Sequence, residues 1–114
     1  MSGRNNGLYL QDILDSVDAI ESYTAGMTFE MFRLDRMCYS ATIREFEIIG
    51  EAVNHLDADL RERCKDVQWR DIVDFRNILI HEYFGVDFEL IWNVIKDDVP
   101  QLRKAVLSLT SLSK

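Results

Sequence analysis

Arg76 and His81 stand five residues apart in the segment Arg76-Asn77-Ile78-Leu79-Ile80-His81-Glu82-Tyr83. Both side-chain types suit phosphate chemistry. A guanidinium offers a rigid planar fork of donors to an anion, and an imidazole exchanges a proton near neutral pH. On a helical wheel with Ile72 at the origin, Val73 falls at about 100°, Phe75 at about 300°, Leu79 at about 340° and Ile80 at about 80°. Arg76 falls at about 40°, inside that apolar arc, and Tyr83 at about 20°, directly above it. Asp74, Asn77 and His81 take the opposite side. A guanidinium on an apolar face is costly unless it is paired or opens into a cleft. Two readings follow. Arg76 is a structural arginine bonded to an Asp or Glu of another helix, or it sits at a water-filled seam, between helices or subunits, to bind an anion. An ideal helix points His81 about 140° away from Arg76. The two share a site only if the helix loosens near Gly85 or a second subunit supplies the partner. The plain alternative for His81 is a half-exposed histidine beside Asn77.

The elements that must position these groups read as helices. Leu10, Ile13, Leu14, Val17 and Ile20 recur at spacings of three and four and predict a first helix from about Leu8 to Tyr23. Thr24-Ala25-Gly26-Met27-Thr28 reads as a loop, with Thr28 as an N-cap. A second, unbroken helix is expected from Glu30 to about Leu56, with Met31, Leu34, Cys38, Ala41, Ile48, Ile49 and Ala52 on its apolar side. Asp57 or Asp59 caps a short helix reaching Cys64. The motif helix runs from about Arg70 to Tyr83, Gly85 stops it, and Asp87 caps a last helix from Phe88 to Leu112. Pro100 removes a backbone donor and crowds the preceding turn, so a kink or short break is expected near Asp98-Val99. The fold class is all-α: an up-and-down four-helix bundle with an extra short helix, in a single domain over residues 1–114.

Composition narrows the function. The chain has 114 residues, 5 Gly and 1 Pro, too few turn formers for a sandwich or barrel. A net charge of −7 excludes coating nucleic acid through bulk charge but leaves room for a small local site. Cys38 and Cys64 form no metal-type pair and read as free thiols of a reducing compartment. Neither a secretory leader nor an apolar stretch of membrane-spanning length is visible, so a soluble, cytoplasmic protein is expected. Arg33, Arg36, Ser40, Arg44, Glu47 and Glu51 fall within an arc of about 80° on the second helix. That arc is either a solvated face with an Arg44–Glu47 pair or a basic strip leading phosphates toward the motif. Gly50, inside a helix, costs about 1 kcal/mol relative to Ala and points to a close helix contact. Glu51 and His55 are spaced i,i+4, but neither Glu-x-x-His nor HExxH occurs, and no metal or nucleotide cofactor is expected. Met27, Met31 and Met37 are expected to fill gaps in a core or a dimer interface.

The segment Arg76 to Tyr83 matches RX4HXY, and here the chain resembles the HepT-like toxins, a branch of the HEPN superfamily. The resemblance covers nearly the whole chain. It includes Tyr23-Thr24-Ala25-Gly26-Met27, Ile48-Ile49-Gly50-Glu51-Ala52, Trp69 ahead of the motif helix, Tyr83-Phe84-Gly85-Val86-Asp87, and Leu90-Ile91-Trp92. It implies a HEPN bundle that forms a homodimer and brings two Arg–His pairs to one cleft. The implied activity is metal-independent endoribonuclease action on RNA, as a toxin paired with a minimal nucleotidyltransferase antitoxin. In that scheme His81 is the acid/base at the ribose 2′-OH and Arg76 stabilises charge growing on the phosphate. Asn77 orients substrate or His81, and Tyr83 receives AMP from the antitoxin. An alternative from another class is a catalytically silent helical module that binds the nucleotidyltransferase partner.

Overall fold

The computed structural model describes the backbone of residues 3–81, 85 and 87–112, and side chains of 5–79, 85 and 87–110 within them. These residues form α1 (Gly3–Thr24), α2 (Phe29–Leu34), α3 (Arg36–His55), α4 (Ala58–Glu62), α5 (Trp69–His81), α6 (Phe88–Asn93), a π-helical turn (Val94–Asp98) and α7 (Val99–Leu112). No strand occurs among them. Because α6, the π turn and α7 run on without a gap, the architecture reduces to four principal helices, as expected, with two short ones rather than one. Helix α1 packs along α3 and α7, and α5 lies on α3.

The apolar stripes account for this packing. Leu10, Ile13, Leu14, Val17 and Ile20 are all buried, four of them completely. They meet Phe46, Ile49 and Val53 of α3, and a stripe of Ile91, Ile95, Val99, Leu102, Val106 and Leu109. That last stripe continues through the π turn, where the Val99 N–H donates to the Val94 carbonyl, five residues back. The expected break near Asp98-Val99 is therefore a widened turn. Proline crowds the carbonyl four residues before it, here that of Lys96, and the π turn re-aims this segment's carbonyls.

The second expected helix is not continuous; it divides at Asp35. Thr28 caps α2 by accepting from the Met31 N–H (3.2 Å), and Asp35, with φ −102° and ψ 92°, caps α3 by accepting from the Cys38 N–H (3.0 Å). The turn at Asp35 carries Phe32 fully into the core against Trp92, with ring centroids 5.3 Å apart. It also turns Met31, Leu34 and Met37 outward, 52%, 70% and 84% exposed, so none of the three joins the core. Only Met27 of the methionines expected to fill gaps packs against the core.

Helix α1 starts earlier than its stripe, at Gly3. Asn6 explains how: its side-chain oxygen accepts from the Asp57 N–H, and its amide donates to the Asp57 carboxylate (3.2 and 3.1 Å). Asp57 stands at the N-cap of α4 as expected, but spends its side chain on α1 rather than on its own helix. Gly26 takes φ +75° in the loop after α1, a conformation glycine adopts without strain.

Candidate active site

Helix α5 is anchored at its start by Trp69. The buried indole N–H donates to the carbonyls of Arg61 and Cys64 (3.2 and 3.0 Å), and the Gln68 carbonyl receives the Asp71 N–H (3.0 Å). One turn along, Phe75 meets Phe46 of α3 edge-on, with centroids 5.2 Å apart. These contacts fix the rotation of α5 over α3 and so decide where Arg76 points.

The aliphatic stem of Arg76 crosses Gly50. A Cβ at residue 50 would lie 2.5 Å from the Arg76 Cβ and 2.6 Å from its Cγ, distances that real side chains do not occupy. Glycine is thus the residue that lets α5 approach α3 here, the close contact expected of Gly50. The guanidinium emerges at the rim of the seam. Its Nη2 donates to Glu51 Oε2 (3.0 Å) and its Nη1 to Asn77 Oδ1 (3.1 Å), while the side chain keeps 26% exposure. Nε is buried and finds no hydrogen-bond partner among the described residues. The structural reading of Arg76 holds, since it is bonded to a glutamate of another helix, and its side chain stays partly exposed at the α3–α5 contact.

Glu51 is itself held. His55 Nε2 lies 3.1 Å from Glu51 Oε1, and the His55 ring stacks on Tyr9 with centroids 4.9 Å apart and planes 12° from parallel. A polar line thus runs from α1 through α3 to the motif arginine. Sequence reasoning placed Glu51 in the basic strip and beside His55, and missed it as the partner of Arg76. The one hint was Gly50, whose close contact with α5 sets the neighbouring Glu51 within reach of the Arg76 head.

Asn77 is exposed and joins Arg76, whereas Asp74 lies 4.0 Å from Arg70, one turn earlier. The backbone of α5 is α-helical through His81, the last of its described residues. The side chain of His81 and the whole of Tyr83 lie outside the described residues. Gly85 is exposed coil, and Asp87 caps α6 as expected, accepting from the Leu90 N–H (3.0 Å). The supposed strip of the second helix is divided, because Arg33 belongs to α2, where Glu30 binds it at 2.9 Å. The Arg44–Glu47 pair of the solvated-face reading is present at 3.3 Å. Cys38 and Cys64 are free thiols. Among the described residues no group of three His, Cys, Asp or Glu side chains converges as a metal site. No helix among them is long and apolar enough to cross a membrane.

Comparison with known proteins agrees with the motif. The family described as "Ribonuclease HepT-like" matches residues 13–109. The chain is 42% identical over 106 residues to "Putative RNase MJ1380" of Methanocaldococcus jannaschii, covering 93% of this chain and 97% of that protein. It is 38% identical over 100 residues to "Probable ribonuclease HepT" of Thermococcus cleftensis, covering 88% and 91%. It is 39% identical over 106 residues to "Putative RNase TTE0752" of Caldanaerobacter subterraneus subsp. tengcongensis, covering 93% and 95%. No solved structure matches significantly.

Proposed function

The chain belongs to the HepT-like ribonuclease family, and from that premise we propose that it is a metal-independent endoribonuclease toxin working as a homodimer in the cytoplasm. The observation that carries the reading is Arg76: an arginine seated over Gly50, aimed by Glu51 and Asn77, and still open to solvent at the seam. Such a fork is preorganised for a phosphate whose charge grows during reaction. The ribose 2′-oxygen forms a bond to phosphorus as the bond to the 5′-oxygen breaks, leaving a cyclic phosphate and a 5′-hydroxyl. His81 takes the proton from the 2′-hydroxyl or returns one to the leaving oxygen.

The course of α5 supports the dimer. Because α5 stays α-helical through His81, the backbone of one protomer directs Arg76 and His81 about 140° apart. A symmetric pair of motif helices supplies Arg76 from one chain and His81 from the other. Tyr83, about 20° from Arg76 on the wheel, is the control point. A nucleotidyltransferase antitoxin moves AMP from ATP to its phenolic oxygen, pyrophosphate leaves, and the added bulk and negative charge block the phosphate site.

One observation favours a second reading, a silent module that binds the nucleotidyltransferase. Glu51 neutralises Arg76, and the chain as a whole carries −7. Expression in growing cells with and without the antitoxin tests both readings. Growth arrest should require Arg76 and His81 and vanish in either alanine variant, and Tyr83→Phe should arrest growth even with the antitoxin present. Arrest by His81→Ala as strong as wild type, or full rescue of Tyr83→Phe by the antitoxin, contradicts the assigned roles.

A further inference from the structure

Helix α5 packs chiefly on α3, while α6 and α7 pack on α1 and α2, and the space between α5 and the α6–α7 run stays open as a groove of about 450 Å³. Its floor is Phe46, and its walls include Phe75 and Ile78 of α5 and Leu90 and Val94 of the opposite lip. Ile78 and Leu90 remain 48% and 40% exposed. Four aspartates line the groove as well: Asp66, Asp71, Asp74 and Asp98. Burial raises the carboxyl pKa of Asp98, and the charges of Asp97 and Asp71 raise it further, so the two lips repel each other. Nearby cations do not offset this. Arg70 reaches only Asp74, at 4.0 Å, and Lys96 sits over the Trp92 ring, 4.7 Å from its centre. Among the described residues no basic side chain pairs with Asp66, Asp71 or Asp98. Arg76 and Asn77 do not line the groove.

We propose that this groove docks a basic amphipathic helix of a partner protein. Apolar side chains at i, i+3, i+4 and i+7 fill the floor, and flanking Lys or Arg residues meet the aspartates on both lips. The α5 wall from Trp69 to Ile78 is about 14 Å long, room for about two and a half helical turns. Charge selects this occupant over the others. RNA would bring phosphates against four carboxylates, and a second copy docked through the same face would bring a second set of the same four carboxylates to it. The inference does not rest on the ribonuclease reading.

The probe is a fluorescein-labelled synthetic helix of about 14 residues, with Leu and Ile on one face and Lys and Arg on both flanks. Its anisotropy is followed as the full-length protein is added, at low and high salt. The expected result is saturable binding that weakens with salt and falls at least about tenfold, or about 1.4 kcal/mol, in the Asp71→Lys/Asp98→Lys variant. A matching peptide with Glu on its flanks should bind that reversed variant and not the wild type. Ile78→Arg, at an exposed position, gives a second loss of binding if the reversed variant does not fold. Equal binding of both peptides to wild type, no binding, or displacement of the basic peptide by single-stranded RNA would overturn the proposal. So would sedimentation showing a wild-type dimer that Ile78→Arg dissociates while the peptide fails to bind, since the groove would then belong to a second copy.

Discussion

At the scale of single residues the site is a competition for one guanidinium. Glu51 aims Arg76 by accepting from Nη2 at 3.0 Å, yet its negative charge stands beside the guanidinium proposed to receive a phosphate. Glutamine at position 51 keeps the accepting oxygen and removes the charge. The Glu51→Gln variant should therefore bind labelled single-stranded DNA, which lacks the reacting hydroxyl, about three- to tenfold more tightly than wild type, worth about 0.7–1.4 kcal/mol. Unchanged or weaker binding in a titration would show that Glu51 serves only to hold Arg76 in place. This partner was hard to read from the sequence because the two residues are 25 positions apart and Glu51 had a nearer partner in His55. Arg76 itself was legible, since a charge inside an apolar arc demands either a counterion or water.

At the scale of elements, the α3–α5 contact is what turns a sequence motif into a site. In Gly50→Ala the new methyl would gain about 1 kcal/mol of helix propensity but would push against the Arg76 Cβ, which is tied to the backbone of α5. Overpacking of this kind costs about 1–3 kcal/mol. We expect a net loss of up to about 2 kcal/mol in denaturant unfolding, together with a fall in RNA cleavage larger than the unfolded fraction explains. A stabilised variant of full activity would mean that α5 does not need this approach. The principal helices were legible because their buried stripes keep a spacing of three and four. The division at Asp35 was not, since Met31, Leu34 and Cys38 carry the same spacing straight across it. What decided the break was Phe32, whose burial against Trp92 requires the chain to turn, together with two capping side chains, Thr28 and Asp35, placed to stabilise the turn. Pro100 announced a disturbance whose place the sequence indicated, but whether it would be a break or a π turn depended on keeping Ile95 and Val99 in one stripe.

At the scale of the whole molecule, four of the 20 acidic residues line one groove, and Arg76, paired with Glu51, is not part of its lining. Asp98 carries a cost of that arrangement, because burial and the neighbouring Asp97 and Asp71 raise its pKa. A raised folded-state value means that its contribution to stability is present at acid pH and lost as pH climbs through that value. Asp98→Asn should melt higher than wild type at neutral pH, and the two curves should converge where the carboxyl is protonated; a lower melting temperature at neutral pH would place a stabilising partner on Asp98. The groove was not legible in the sequence, because Asp98 of the π turn meets Asp66, Asp71 and Asp74 of the α5 segment only in the folded bundle. The central claim concerns the motif acting across two chains, and the most direct measurement is cleavage of labelled RNA in EDTA, on protein whose intact mass excludes bound AMP. Wild type should cleave, and Arg76→Ala and His81→Ala should each be silent. Their co-refolded mixture should regain roughly a quarter of wild-type activity, from random pairing in a symmetric dimer. No cleavage by unmodified wild type, or full cleavage by His81→Ala alone, would contradict the account.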